Sequence, residues 1–385
     1  MTIVKESAPH LRRKSSVARM MGDVLIALAP TLIFAFVVYP ISTLSTLLLS
    51  LFIMNGAEVI YIGLKNFKPK YEVNESFFKR IGTAIKEKYT INNALSASIS
   101  AVIFTLIMPV GMRLSSGYVI PPIYPTIVGA LIGIVFGKLV FGGLGSNIFN
   151  PAAVGMLAAK YCFGSKYVNY MPNMFFSLPD GSSGATPLYE GGAITASGDF
   201  SLLDMFLGKI PGTLGEVYKI TIIVGLVYLL IRRSADFRIV LSYLGTFIAI
   251  TLVAGLSVHG KNPNIHTFEF LAYNLLSGGL LFGAVFMFTD PVTAPINSPG
   301  RVMYGIIAAI CTAFIRYFGA LPEGVGYSIL LANMVGVALD HYEWSSQKYT
   351  WKKIVIIVSL IVISLLITFL VIYYGEAYTK WIKNI

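Results

Sequence analysis

A short polar loop in the middle of a very apolar chain carries the first residues whose types suggest chemistry. Residues 180–186 read Asp-Gly-Ser-Ser-Gly-Ala-Thr, so this loop ends on the hydroxyl of Thr186. Gly181 and Gly184 give the backbone conformational freedom, and a hydroxyl on such a backbone can enter a modifying enzyme. The pattern is therefore compatible with a threonine whose hydroxyl is covalently modified. An ordinary Gly- and Ser-rich connecting loop is the alternative.

A second polar segment, residues 142–152, reads Gly-Gly-Leu-Gly-Ser-Asn-Ile-Phe-Asn-Pro-Ala between two apolar runs. Asn150 followed by Pro151 predicts a capped helix start. Capping explains neither Asn147 nor the glycines around Gly143, because irregular polar backbone at membrane depth is tolerated only inside protein or along a cavity. Amide side chains both donate and accept hydrogen bonds. A buried ligand site and simple capping are therefore both open interpretations.

A third segment, residues 289–295, reads Thr-Asp-Pro-Val-Thr-Ala-Pro and leads to Arg301. We expect it on the same side of the membrane as residues 142–152, so that the two segments face each other. Thr289 and Asp290 are then candidate ligand-binding residues. The alternatives for Asp290 are capping and pairing with Arg301.

Two acidic residues lie within or at the end of apolar runs, Glu58 and Asp340. Ionisable groups inside a membrane are costly and therefore functional candidates, and hard cations prefer oxygen ligands. The pattern predicts an ion path through these residues. The alternatives are pairing of Glu58 with a neighbouring helix or subunit, and a solvated position for Asp340 at the membrane surface.

Composition places the chain in the membrane. Of its 385 residues 56% are hydrophobic and 12% are charged, against about 25% charged in soluble domains. The net charge of +11 reflects Lys and Arg concentrated in alternate loops, which predicts a cytoplasmic N-terminus rather than nucleic-acid binding. The loop with Thr186 is then extracytoplasmic.

Apolar runs predict an all-α integral membrane protein with about ten transmembrane helices in two related five-helix halves, plus an extra C-terminal helix. Thr213 and Glu216 have the spacing of a capping box for the sixth span. The expected spans are 24–40, 42–64, 94–112, 125–141, 152–163, 216–231, 239–257, 268–288, 301–318, 326–340 and 354–374. The corresponding regions are a basic N-terminal segment (1–22), the first half (23–163), the loop (164–215), the second half (216–342) and the extra helix with its tail (343–385). The basic stretch 65–90 is expected to be a cytoplasmic connector or a short amphipathic helix.

Together these motifs resemble one family over nearly all of residues 8–343. The chain is similar to the D subunit of the Rnf complex, an ion-translocating ferredoxin:NAD oxidoreductase. It is also similar to the homologous B subunit of the Na⁺-translocating NADH:quinone oxidoreductase. The resemblance is carried by residues 8–12, 142–152, 180–188, 210–212, 289–301, 322–324 and 330–333, and by Asp340 with His341.

The resemblance implies a transporter-like fold with FMN joined covalently to Thr186 and a second, non-covalent riboflavin in the membrane. It implies Na⁺ or H⁺ movement coupled to electron flow, with Glu58 and Asp340 as acids of the ion path. It also implies partner subunits, one carrying a second covalent FMN, a flavin transferase for maturation, and a bacterial cytoplasmic membrane as the location. The expected flavin-binding residues are Asp180, Ser183, Gly184, Ala185 and Thr186 for FMN, with Gly143, Asn147, Asn150, Thr289 and Asp290 around riboflavin.

Within the family, the Rnf-type protein is favoured because the chain enters its first span soon after a Ser-Ala-Pro-His opening. The extra helix at 354–374 departs from both patterns. Because no motif for NADH or ferredoxin stands out, the chain is expected to act only as part of a complex. A flavin-free solute transporter or channel and a structural scaffold are the alternatives from other classes.

Overall fold

The computed structural model describes residues 16–66, 77–168, 187–188, 200–319, 323–341, 344 and 346–375. These residues form an all-α protein with one small sheet, which confirms the predicted fold class. Every predicted span corresponds to a described helix or helix pair. The count of ten transmembrane helices in two halves stays a prediction.

Six α-helices are described in the N-terminal part of the chain, and their starts follow local sequence signals. Ser16 caps the first helix through the N–H of Arg19, and Pro40 opens the second at a position where its missing N–H has no consequence. Thr90 and Asn93 form a capping box at the fourth. The helices are α1 (Val17–Val38), α2 (Pro40–Lys65), α3 (Phe77–Lys88), α4 (Ile91–Ile107), α5 (Ile123–Ile134) and α6 (Pro151–Phe163).

From residue 200 onward, the described part of the chain contains eight further α-helices. The sixth predicted span begins at Lys219 rather than at a Thr213 cap, so the predicted capping box is wrong. Thr213 instead donates its hydroxyl hydrogen bond to Glu216 Oε2 at 2.9 Å, and both residues line a cavity. The helices are α7 (Leu202–Leu207), α8 (Lys219–Arg232), α9 (Phe237–His259), α10 (Thr267–Leu276), α11 (Leu280–Phe282), α12 (Ser298–Phe318), α13 (Val325–Leu339) and α14 (Trp351–Tyr374).

Five of the described helices, α1, α2, α9, α12 and α14, are long and apolar enough to cross a membrane. Two bent pairs bring the number to seven: α3 with α4, which meet at 90°, and α10 with α11 and its continuation, which meet at 62°. The chain is therefore a multi-pass membrane protein. The amphipathic helix expected within residues 65–90 is confirmed as α3, which lies across the start of α4.

Each half contains the same order of local elements around a break. The helix α5 continues as the π-helix Val135–Leu139, and α11 continues as the π-helix Gly283–Met287. In both cases a turn-rich segment follows and ends at an asparagine that caps the next helix, Asn150 for α6 and Asn297 for α12. Because π-helical turns are uncommon and concentrate at functional sites, this repeated element indicates a candidate functional region.

A three-stranded antiparallel sheet lies at the end of the helices opposite to the two π-helices. The strand β1 (Gly111–Arg113) follows α4 and pairs with β2 (Val119–Ile120) on one side and β3 (Tyr167–Val168) on the other. The β3 strand is the last described part of the chain before residue 187. The sheet thereby fixes the point from which the loop with Thr186 departs.

Candidate functional site

An outer cavity of about 490 Å³ lies beside the small sheet, at the end of the molecule predicted to be extracytoplasmic. Val168, which directly precedes segment 169–186, and Leu188, the second residue after it, both line this cavity. Its rim also carries three basic side chains, Arg113, Lys160 and Lys166. The segment that includes Thr186 therefore starts and ends at this cavity.

Specific contacts hold the C-terminal end of that segment in place. The buried hydroxyl of Tyr273 donates a hydrogen bond of 2.8 Å to the carbonyl of Pro187. Leu188 is 3% exposed, and its Cδ1 atom would lie 2.7 Å from a Cβ atom at Gly278. Gly278 has φ +60°, so both its conformation and the approach of Leu188 require glycine.

Charged side chains cluster at one side of the outer cavity: Glu216 and Glu323 line it, and Lys219 and Arg316 are buried nearby. The carboxylates of Glu216 and Glu323 flank Gly279, whose N–H donates to Glu323 Oε1 at 2.5 Å. Lys219 Nζ donates to the carbonyls of Glu216 and Gly278 at 2.6 and 2.9 Å. Arg316, also buried, donates from Nη1 to the carbonyl of Asn274 at 2.6 Å. This charged cluster was not predicted, because its members come from distant parts of the chain, residues 216–219 and 316–323.

An inner cavity of about 450 Å³ lies at the other end of the helices. It is lined by both polar breaks, which the sequence analysis expected to face each other. Apolar residues of α1 and polar residues at the start of α4 complete the wall. The lining includes Met20, Met21, Asn92, Ser96, Lys138, Gly145, Asn147, Asn150, Phe286, Thr289, Asp290 and Pro291.

The two cavities are separated by short lengths of helix. The helix α6 starts at the inner cavity with Pro151 and lines the outer cavity with Met156 and Lys160. The stretch from Pro151 to Lys160 rises about 14 Å along the axis. The π-helix 283–287 also lies between the cavities, since Phe286 lines the inner one and Met287 the outer one.

Asn150 has the capping role that the sequence predicted, which is confirmed. Its Oδ1 atom accepts from the N–H groups of Ala152 and Ala153 at 3.0 and 3.4 Å. The side-chain oxygen is thus engaged, and its amide NH₂ group is left for a ligand. Asn147 makes one long hydrogen bond of 3.4 Å from its amide to the carbonyl of Phe149. Capping and ligand binding are therefore compatible roles in this segment.

Asp290 lies in the turn after the second π-helix, outside the helices. Its carboxylate accepts from the N–H of Val292 at 3.2 Å and from the hydroxyl of Thr293 at 3.3 Å. Arg301 forms an ion pair with Asp236, so of the two alternatives for Asp290 the capping-type role is observed. Burial raises the pKa of the Asp290 carboxyl above its ordinary value, while these hydrogen bonds oppose the rise.

Glu58 forms an ion pair with Lys138 deep in the protein. Glu58 Oε2 lies 2.8 Å from Lys138 Nζ, and both side chains are 1% exposed. Asn93 Nδ2 donates to Glu58 Oε1 at 3.3 Å, and Lys138 Nζ also donates to Ser96 Oγ at 3.0 Å. Pairing of Glu58 with a neighbouring helix, one of the predicted alternatives, is therefore present. Lys138 in turn lines the inner cavity.

The remaining predicted residues fall elsewhere. Asp180, Ser183, Gly184, Ala185 and Thr186 lie outside the described residues. Gly143, with φ +92°, packs against Tyr61 rather than lining the inner cavity. Asp340 ends α13 and accepts hydrogen bonds from Ile296 N–H and Asn297 Nδ2 at 2.8 and 3.1 Å, so its contacts secure a turn.

Sequence reasoning overlooked Lys138, Asn92, Ser96 and Asn333. Lys138 carried a usable signal, because a lysine inside an apolar run needs a buried partner. Asn333 Oδ1 accepts from the backbone N–H of Asn150 at 3.0 Å, which no local pattern indicates.

The fold defines a multi-pass α-helical membrane protein with two cavities at opposite ends of shared helices. Comparison with known families then identifies the chain: residues 4–349 match the NQR2, RnfD, RnfE family, and the chain belongs to it.

Similar proteins come from two kinds of complex. The chain is 28% identical over 349 residues to the D subunit of the Na⁺-translocating ferredoxin:NAD⁺ oxidoreductase complex of Acetobacterium woodii, covering 89% of this chain and 94% of that protein. It is 30% identical over 347 residues to the D subunit of the proton-translocating ferredoxin:NAD⁺ oxidoreductase complex of Clostridium ljungdahlii, covering 87% and 93%. It is 32% identical over 288 residues to the B subunit of the Na⁺-translocating NADH-quinone reductase of Chromohalobacter salexigens, covering 73% of this chain and 66% of that protein. The chain thus spans slightly less than two thirds of the length of this last relative.

Proposed function

We propose that this chain is the flavin-carrying membrane subunit of an ion-translocating oxidoreductase complex. Thr186 carries FMN through a phosphoester, the inner cavity holds riboflavin, and electrons pass from the outer to the inner site while Na⁺ or H⁺ crosses the membrane. One observation carries the proposal: the ends of the segment with Thr186 meet at one cavity, and a second, asparagine-lined cavity lies at the other end of the same helices.

The outer cavity suits a flavin phosphate held at Thr186. Thr186 precedes Leu188 by two residues, a chain length of at most about 7 Å, and Leu188 lines the cavity. Arg113, Lys160 and Lys166 on the rim offer charge-assisted hydrogen bonds to a phosphate. The flavin supplies the redox chemistry, and this chain supplies position and electrostatics.

The inner cavity suits an uncharged flavin. Its volume of about 450 Å³ falls within the roughly 300–1,000 Å³ of typical ligand pockets. Asn147 and Asn150 present amide groups that match the donors and acceptors of a pyrimidine edge. Met20, Met21 and Phe286 give the apolar walls that an aromatic ring requires.

The names of the similar proteins support a role within a complex rather than alone. Two relatives from ferredoxin:NAD⁺ oxidoreductase complexes match over 94% and 93% of their own lengths, which favours an Rnf-type complex. An NADH:quinone oxidoreductase is the second candidate, supported by the 32% identity to the B subunit of such an enzyme.

The partners in this proposal are the other subunits, one with a second covalent FMN, and a flavin transferase for maturation. The setting is a bacterial cytoplasmic membrane with the N-terminus inside. Of the two acids proposed for the ion path, Glu58 is better placed than Asp340, because its partner Lys138 lines the inner cavity.

Covalent flavin is the first test. The full chain is co-expressed with an active flavin transferase, and intact mass and in-gel fluorescence are measured for wild type, Thr186→Ala and the control Thr195→Ala, which alters a second threonine of the same loop. We expect an FMN adduct in wild type and the control and none in Thr186→Ala. Absence of the adduct in all three would favour the flavin-free transporter.

The inner site is tested separately by extracting non-covalent flavin from the purified chain. Asn147→Leu replaces the amide with an apolar group of similar size and is expected to reduce the riboflavin content at unchanged FMN content. A wild-type chain without extractable flavin would remove riboflavin from the proposal and leave the Thr186 assignment standing.

A further inference from the structure

The ammonium group of Lys138 occupies a position that could bind a metal cation. It lies 2.8 Å from Glu58 Oε2 and 3.0 Å from Ser96 Oγ, in a position with 1% exposure. A carboxylate and a hydroxyl are oxygen ligands of the kind that hard cations take. Lysine is a compact point charge on a flexible stem. The side chain thus has the charge and the oxygen contacts of a bound monovalent cation.

The Lys138 side chain also has a second position available to it, in the inner cavity. It belongs to the π-helix Val135–Leu139 and lines the inner cavity. Asn92 and Asp290 line the same cavity, and Asn92 Oδ1 is buried without a hydrogen-bond donor in the described part of the protein. A rotated Lys138 side chain would therefore meet an unused oxygen and a carboxylate. When Lys138 moves away from Glu58, its ammonium group therefore still has polar partners.

The departure of Lys138 would leave the Glu58 carboxylate and the Ser96 hydroxyl as oxygen ligands. Asn93 Nδ2, which donates to Glu58 Oε1 at 3.3 Å, would keep the carboxylate oriented. A buried carboxylate without a partner is strongly unfavourable. A cation or a proton must therefore replace the lysine at Glu58 whenever the lysine leaves, and the oxygen of Ser96 beside the carboxylate favours a metal cation.

We propose that Lys138 is a tethered cation that occupies a Na⁺ site formed by Glu58 and Ser96, with Asn93 orienting the Glu58 carboxylate, and that Na⁺ binds there only when Lys138 turns into the inner cavity. The inference rests on the proposed function for its place in ion movement. It gives the inner cavity a direct influence on the ion site, because any negative charge gained in that cavity attracts Lys138 away from Glu58.

The test compares thermal unfolding of the purified full chain in NaCl and in choline chloride at equal ionic strength. Lys138→Met vacates the position and is expected to give a Na⁺-specific rise in melting temperature, with an apparent Na⁺ affinity at least about tenfold tighter than in wild type, since a ligand that binds only the folded state stabilises it. Lys353→Met is the matched control. Lys353 is also buried, but its Nζ binds the carbonyls of Ser346 and Lys348 rather than a carboxylate.

The double variant Glu58→Gln with Lys138→Met is expected to lose the Na⁺ response. An equal Na⁺ response in wild type and Lys138→Met, or its survival in the double variant, would overturn the assignment. The measurement needs no flavin, so it is independent of whether the chain carries FMN or riboflavin.

A second variant covers the case in which Lys138→Met does not fold. Lys138→Arg retains the buried charge pair and binds a carboxylate more firmly through its planar fork. In the intact complex it is expected to raise the half-saturating Na⁺ concentration for turnover at least about tenfold. An unchanged Na⁺ requirement in Lys138→Arg would contradict competition between the side chain and the ion.

Discussion

The backbone N–H of Asn150 donates a hydrogen bond of 3.0 Å to Oδ1 of Asn333, 183 positions further along the chain. Asn333 Nδ2 in turn donates to the hydroxyl of Tyr304 at 2.8 Å, and Asn333 and Tyr304 are fully buried. The bond ties the start of α6 to the middle of α13. It thereby fixes one wall of the inner cavity with residues from both halves.

Replacing Asn333 by Leu tests this tie. The change leaves the Asn150 N–H and the Tyr304 hydroxyl without their partner, which costs about 1–3 kcal/mol per buried group. We expect the free energy of unfolding in detergent micelles to fall by that order. Met334→Ala on the exposed side of the same helix is the control. Equal stability of the two variants would show that Asn333 does not join the halves.

The second prediction concerns the close contact between helices α5 and α6. A Cβ atom at Gly133 would lie 2.5 Å from the carbonyl oxygen of Pro151, whereas one at Gly245 in α9 meets nothing within 4 Å. Gly133→Ala is expected to lower the free energy of unfolding by about 1–3 kcal/mol through overpacking. Gly245→Ala should raise it by up to about 1 kcal/mol through helix propensity. A stabilised Gly133→Ala variant would refute the close packing at the inner cavity.

The contact at the C-terminal end of segment 169–186 gives a third prediction. Tyr273→Phe removes the hydroxyl that binds the Pro187 carbonyl. Residues 169–186 should then be cleaved several-fold faster in limited proteolysis, because the segment loses a fixed end. The comparison is Tyr118→Phe, since that ring is 75% exposed. Identical cleavage rates in the two variants would mean that Tyr273 does not restrain the segment.

The buried pair Glu58–Lys138 should show strong coupling in a double-mutant cycle. Removing either partner leaves a buried charge and is expected to cost about 3–5 kcal/mol. The variant with Glu58→Gln and Lys138→Met together should cost much less, because no charge is then left unpaired. The free energies of unfolding are measured in choline chloride to keep Na⁺ out of the comparison. Additive losses would show that the two groups do not interact.

Local patterns predicted the elements well. Hydropathy predicted the helices, since a span is defined by a continuous run of its own residues, as in α14. The Asn150–Pro151 pair predicted the start of α6 because a cap involves only groups within one turn. Where a side chain had a distant partner the local prediction failed. Glu216 has capping-box spacing with Thr213, yet it lies at the outer cavity beside Glu323, and the helix begins at Lys219.

The sequence by itself determined the membrane class, the helices, the helix cap at Asn150 and the candidate threonine, because each depends on neighbouring residues and on transfer from water to lipid. Only the tertiary structure decided which polar groups meet. Glu58 forms an ion pair with Lys138, which lies several helices further along the chain, and the Asn150 N–H binds Asn333 in the other half. Such pairs form because a buried polar group must find a partner wherever packing brings one within reach. Packing depends on the whole chain, so no local pattern contains it.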